Sequence, residues 1–126
     1  MERKNIIAGV LLVVVSLILG AYLESQLGAG LLWKTSSQHN FWKIAHIHGL
    51  GFGMLNIFYG LLLKNYSGNK KIFNAGSYFA VLGIIMPAGL FLAGIQSDFK
   101  MIVPVGGISM IIAWLVFVWG FFVKKI

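Results

Sequence analysis

The chain has 126 residues, of which 59% are hydrophobic and 10% charged, with a mean hydropathy of +0.88. That balance excludes a soluble globular domain and allows one compact transmembrane unit over residues 1–126. The net charge of +7 comes from basic residues that flank apolar runs, so no nucleic-acid partner is expected, and the lack of Cys excludes disulfides, cysteine-ligated iron–sulfur clusters and C-x-x-C-H haem attachment.

Residues 6–23 form an apolar run broken only by Gly9, Ser16, Gly20 and Tyr22, long enough to cross the hydrocarbon core. Arg3 and Lys4 precede it as they would a signal peptide. The run is long, however, and no small-x-small cleavage site follows, so it is expected to be retained as the first span. Residues 24–40 are polar, with Leu31, Leu32 and Trp33 in their middle, and should lie along the membrane interface, where Trp33, Phe41 and Trp42 suit the headgroup level. His39, after Thr35-Ser36-Ser37, reads as a loop residue.

The second span is expected over residues 42–63, and the short polar turn at 64–71 makes it the antiparallel neighbour of a third over 72–95. Pro87, with Gly83, Gly89 and Gly94 nearby, predicts a kink in that third span. The fourth, over 101–123, opens with Pro104 in its first turn and closes on Lys124 and Lys125. Gly106, Ala113 and Gly120 recur every seven residues, a stripe suited to close helix contact.

The expected fold is therefore all-α, a four-helix transmembrane bundle. Seven Lys and Arg fall on one side of the spans and three on the other, which puts both termini in the cytoplasm and the multi-pass chain in the cytoplasmic (inner) membrane. Glu24, Gln26, Gln96 and Asp98 then gather at the outer rim. Faces striped with glycine on short helices call for partners, so a homo-oligomer in the lipid bilayer is expected.

Ionisable side chains inside a span are costly and mark working sites by default, which singles out His46 and His48. At about 100° per residue they point roughly 200° apart, so one helix cannot offer both to a single metal ion. The His46 face carries Gly49, Gly53 and Gly60 and reads as flat. The His48 face carries Phe52, Leu55 and Tyr59. Intramembrane histidines pack helices, relay protons or ligate metals, and the flat face tilts the reading toward ligation. A haem plate would fit a face stripped to glycine around one axial ligand. The expected set is His46 as metal ligand, Gly49, Gly53 and Gly60 as the face beside it, and His48 close by, bearing on stability or ligand access.

Trp42-Lys43-Ile44-Ala45-His46 followed by Gly49 resembles the W-A-R-A-H-x-G stretch of styrene oxide isomerases, small bacterial four-helix membrane enzymes. The H-x-H before a Gly-rich run also resembles several uncharacterised four-helix families. The resemblance covers about a dozen residues beyond length and span count. It implies haem b held by the second-helix histidine, here His46, with iron opening an epoxide as a Lewis acid and subunits packed in a small ring, a trimer. The isomerases have a substrate-contacting Asn about six residues after the ligand, where this chain has Phe52. Asn56 comes one turn later, and Asn56 and Tyr59 are the candidate catalytic residues facing a small apolar ligand. The expected function is haem b binding for isomerase-like or redox chemistry. The alternative is a non-enzymatic membrane module whose histidines pack helices or pass protons or small solutes.

Overall fold

The computed structural model describes residues 2–66 and 68–123. Its elements are α1 (Glu2–Ser25), the single turn α2 (Leu31–Lys34), α3 (Ser37–Asn65), α4 (Lys70–Leu82), α5 (Ile85–Ala93), a 3-10 segment (Ser97–Ile102) and α6 (Val103–Phe122). Four segments, Glu2–Ser25, Ser37–Asn65, Lys70–Ala93 and Ser97–Phe122, are long and apolar enough to cross a membrane, which marks the chain as a multi-pass membrane protein.

Each boundary has a local cause. The Ser36 side chain accepts the His39 backbone N–H at 3.1 Å and caps α3, so the second span starts five residues before the expected Trp42 and takes His39 into the helix rather than a loop. Asn69 caps α4 by accepting from the Lys71 and Ile72 backbone N–H groups. The expected kink in the third span is a break between α4 and α5. Pro87 has no N–H for the Gly83 carbonyl, which takes the Met86 N–H at 3.1 Å instead, while the Ile84 N–H reaches back three residues to Val81. The break therefore lies at Gly83–Ile84, a turn before the proline. Pro104 occupies the first turn of α6 as expected, and Lys124 and Lys125 lie outside the described residues.

α1 and α3 run antiparallel in contact along their length, with Gly9 against Gly53 and Gly20 against His46. α4 packs on α6, and the core there is aromatic: Tyr59, Phe73 and Phe117 are buried together, with Trp114, Tyr66 and Phe121 around them at ring separations of 4.4–6.0 Å. The expected stripe on the fourth span faces this interior. A Cβ on Gly106 would collide with the Met86 backbone, Ala113 is fully buried, and Gly120 lies against the Phe73 ring. Close contact is correct, but it is made within one copy and gives no argument for association.

One polar network crosses this apolar frame. The Asn5 side-chain amide donates to Asn56 Oδ1 and to the Ser77 carbonyl, both at 3.2 Å, and the Ser77 hydroxyl donates to Asn5 Oδ1. Asn56 in turn donates to the Phe52 and Ala80 carbonyls at 3.1 and 2.9 Å. Every amide donor and acceptor of the pair is filled, and α1, α3 and α4 are tied at one level.

Candidate functional site

α3 presents its histidines on opposite flanks, as their spacing requires. His46 reaches across to α1, where Nδ1 lies 2.6 Å from the Ser16 carbonyl oxygen. A carbonyl only accepts, so Nδ1 carries the hydrogen and donates it, and in the neutral tautomer with that hydrogen the lone pair is on Nε2. The ring lies over Gly20, where an added Cβ would sit 2.8 Å from Nδ1 and 3.0 Å from Nε2. Gly20 is thus the seat that lets the imidazole lie between the two helices. His48 donates from Nδ1 to the Ile44 carbonyl of its own helix at 3.0 Å and meets the Phe52 ring edge-on at 6.1 Å. Among the described residues, no group of three His, Asp or Glu side chains converges as a metal-ligand set.

The glycine face departs from the sequence expectation. A Cβ on Gly49 would meet Ser16, one on Gly53 would lie 2.6 Å from Val13 Cγ2 and 2.9 Å from the Gly9 carbonyl oxygen, and one on Gly60 would lie 2.6 Å from Ile6 Cγ1. The face is flat because α1 fills it, so Gly49, Gly53 and Gly60 offer no cradle for a macrocycle. Asn56 and Tyr59 also lie elsewhere than expected. Both are 0% exposed, Asn56 within the amide network and Tyr59 donating its hydroxyl to the Phe73 carbonyl at 3.3 Å with its ring against Trp114 and Phe117. In this arrangement they hold helices together and present nothing to a ligand.

An opening lies instead between α1 and α5. It is an apolar groove of about 900 Å³ with Trp42 and Ala45 of α3 at its floor, walled by α1 from Ala8 to Tyr22 and by α5 and the residue before it, from Ile84 to Leu92. Trp42 closes one end: its indole N–H donates to the Phe91 carbonyl at 2.9 Å, its ring stacks on Phe91 at 5.3 Å, and Tyr22 and Trp33 meet it edge-on. The sequence reading placed Trp42 at the headgroup level and missed the groove. Its only sequence signals are the small residues Ala8, Ala45 and Ala88 and the proline that displaces α5. Ser16 belongs to both features, lining the groove while its carbonyl holds His46.

Fold and site together define a helical multi-pass membrane protein with one imidazole fixed across its first helix pair and an apolar groove beside it. No protein-family model matches the chain, and neither a curated protein nor a solved structure does.

Proposed function

We propose that the protein binds haem b in the cytoplasmic membrane through His46, with both termini cytoplasmic. The observation that carries this reading is the hydrogen bond from His46 Nδ1 to the Ser16 carbonyl. A metal-ligating imidazole commonly donates its other nitrogen to a carbonyl, which fixes the ring and leaves Nε2 as the donor atom. The donor chemistry therefore fits. The glycine face does not, and the residues established beside the ring are His46 itself and Gly20, both only half-buried in one copy. A second copy completing that flank would account for a ring-like homo-oligomer. When bound, the iron supplies a Lewis acid or a one-electron couple, and the substrate class that suits this setting is a small apolar molecule, as in the styrene oxide isomerases that the Trp42 to Gly49 stretch resembles.

Absorbance of the purified protein tests the reading. A Soret band that His46→Ala removes and His48→Ala retains supports it, and a colourless protein from haem-replete cells overturns it. The second reading is a non-enzymatic module in which His46 is a packing residue, favoured by the same Ser16 hydrogen bond and the close seat on Gly20. On that reading His46→Ala lowers the thermal midpoint of a protein that was never red.

A further inference from the structure

Both histidines of α3 hold the same tautomer for the same reason. His46 Nδ1 lies 2.6 Å from the Ser16 carbonyl oxygen, and His48 Nδ1 lies 3.0 Å from that of Ile44. A carbonyl only accepts, so in each neutral ring Nδ1 carries the hydrogen and Nε2 the lone pair. Among the described residues, His39 Nδ1 is buried without a partner, while Nε2 of His46 and of His48 is unpaired but not buried. Both lone pairs therefore reach the surface of the single copy. That surface is apolar: between the two rings α3 turns Ile47, Met54 and Phe58 outward, each more than half exposed. With Trp42 at the headgroup level, His46 lies about 6 Å further in and His48 about 9 Å, at about 1.5 Å per residue. Hydrocarbon offers a nitrogen lone pair no donor, and an imidazole is too short to snorkel back to the interface as Lys does.

Depth and direction say what meets them. The two rings are separated by about 3 Å along the helix axis and point roughly 200° apart. Copies related by rotation about an axis along the membrane normal keep every residue at its own depth. A head-to-tail contact around such a ring therefore sets the His46 flank of one copy against the His48 flank of the next at nearly one level. The two Nε2 atoms that face each other there are both acceptors, and two lone pairs form no hydrogen bond. A metal centre is the species that binds both, since neutral imidazole offers its lone pair to a metal. Within one copy the second ligand is missing, because no group of three His, Asp or Glu side chains converges among the described residues and the two rings diverge from one helix.

We propose that His48 of the next copy is the second axial ligand of the iron held by His46, so that each site is built by two copies of the chain; this rests on the haem reading above and adds to it. The Ser16 and Ile44 carbonyls fix the two rings with Nε2 outward, and Gly20 gives the His46 ring its seat. Filling both axial positions closes the iron to an epoxide oxygen and leaves the one-electron couple as the chemistry of the two named above.

Absorbance and electron paramagnetic resonance of the ferric protein, purified as the full chain in mild detergent, test the proposal. The wild type should be oligomeric, red and low-spin, because two imidazoles give the iron a strong axial field. His48→Ala should keep the Soret band and lower the low-spin signal at least tenfold, since iron held by His46 alone is high-spin. Copies carrying His46→Ala and copies carrying His48→Ala, tagged differently and purified together from one cell, should regain a low-spin signal. Any closed ring of both kinds has at least one junction where an intact His46 meets an intact His48, whereas a packing role for His48 would restore nothing. Circular dichroism shows which variants fold. Should the variants fail to fold, the wild type decides: dispersal into single copies in harsh detergent should abolish the low-spin signal. A colourless wild type overturns the haem reading and this proposal with it. A red protein that is high-spin, or low-spin as a single copy, or unchanged by His48→Ala leaves the haem reading standing and overturns the proposal, as do mixed rings that stay high-spin.

Discussion

Asn5, Asn56 and Ser77 show how few polar atoms a membrane bundle needs in order to fix its register. In hydrocarbon an amide finds no water, so its donors and acceptors must be met by neighbouring helices, and here each is. Asn56→Ala leaves the Ala80 carbonyl and one Asn5 donor without partners and should lower stability by about 1–3 kcal/mol, read as a lower thermal midpoint in detergent. A midpoint that does not move, with a lost activity, would return Asn56 to the role of substrate contact. The histidine geometry was legible in the sequence because 100° per residue is local arithmetic. The role of Asn56 was not, since its partner amide at Asn5 stands 51 residues away in the chain. Gly20 makes a second residue-scale case. In most helix interiors Gly→Ala stabilises, by about 1 kcal/mol. Gly20→Ala should do the opposite, because the new methyl meets the His46 ring and displaces Nδ1 from Ser16. The measurement is the thermal midpoint, together with any Soret band, which should shift or weaken. A stabilised variant with an unchanged spectrum would mean that the ring is not held at Gly20.

At the scale of elements, small-residue stripes announce close approach without naming the neighbour. Gly53 and Gly60 were read as open space beside a ligand, and α1 occupies that space. A run as featureless as residues 6–23 gives little indication of which face it will turn to α3. Gly53→Leu would push its Cβ into Val13 and the Gly9 backbone, and main chain yields less easily than a flexible side chain. It should destabilise the single copy by about 1–3 kcal/mol or more, and so should Ala113→Leu beneath α4. Thermal denaturation of monomeric protein in harsh detergent separates this from a loss of association: an unchanged midpoint with a lower subunit count would place both stripes at an intermolecular contact. Other element boundaries were misread for similar local reasons. Ser36 sits in a run that reads as loop chemistry yet acts as a cap, and the influence of Pro87 is felt at Gly83, the carbonyl four residues before it.

For the whole molecule, four candidate spans are an even number, so a chain that crosses with each of them ends on the side from which it started. Which side that is depends on charge, not packing. Large apolar side chains stand exposed along the middle of the bundle, Leu11 at 60%, Ile18 at 65% and Leu115 at 64% among them, where only lipid or another apolar surface can meet them. Lys and Arg are confined to the ends. Among the described residues Arg3, Lys4, Lys64, Lys70 and Lys71 stand at one end of the spans, against Lys34, Lys43 and Lys100 at the other, and Lys124 and Lys125 follow the last span in the sequence. An excess of this kind in short connections is the general mark of a cytoplasmic end, and it is the ground of the orientation proposed above. Reporter fusions after Ile126 and within residues 64–71 should therefore both read cytoplasmic, and a fusion within 26–35 should read from the opposite face. The outcome bears on the site as well, because Ser16, His46 and the Tyr22 end of the groove share the half of the bundle that carries Trp33 and Trp42. If the fusions at 126 and 64–71 read external, the imidazole and the groove mouth would belong to the cytoplasmic leaflet, and the excess of basic residues would have to be explained by something other than orientation.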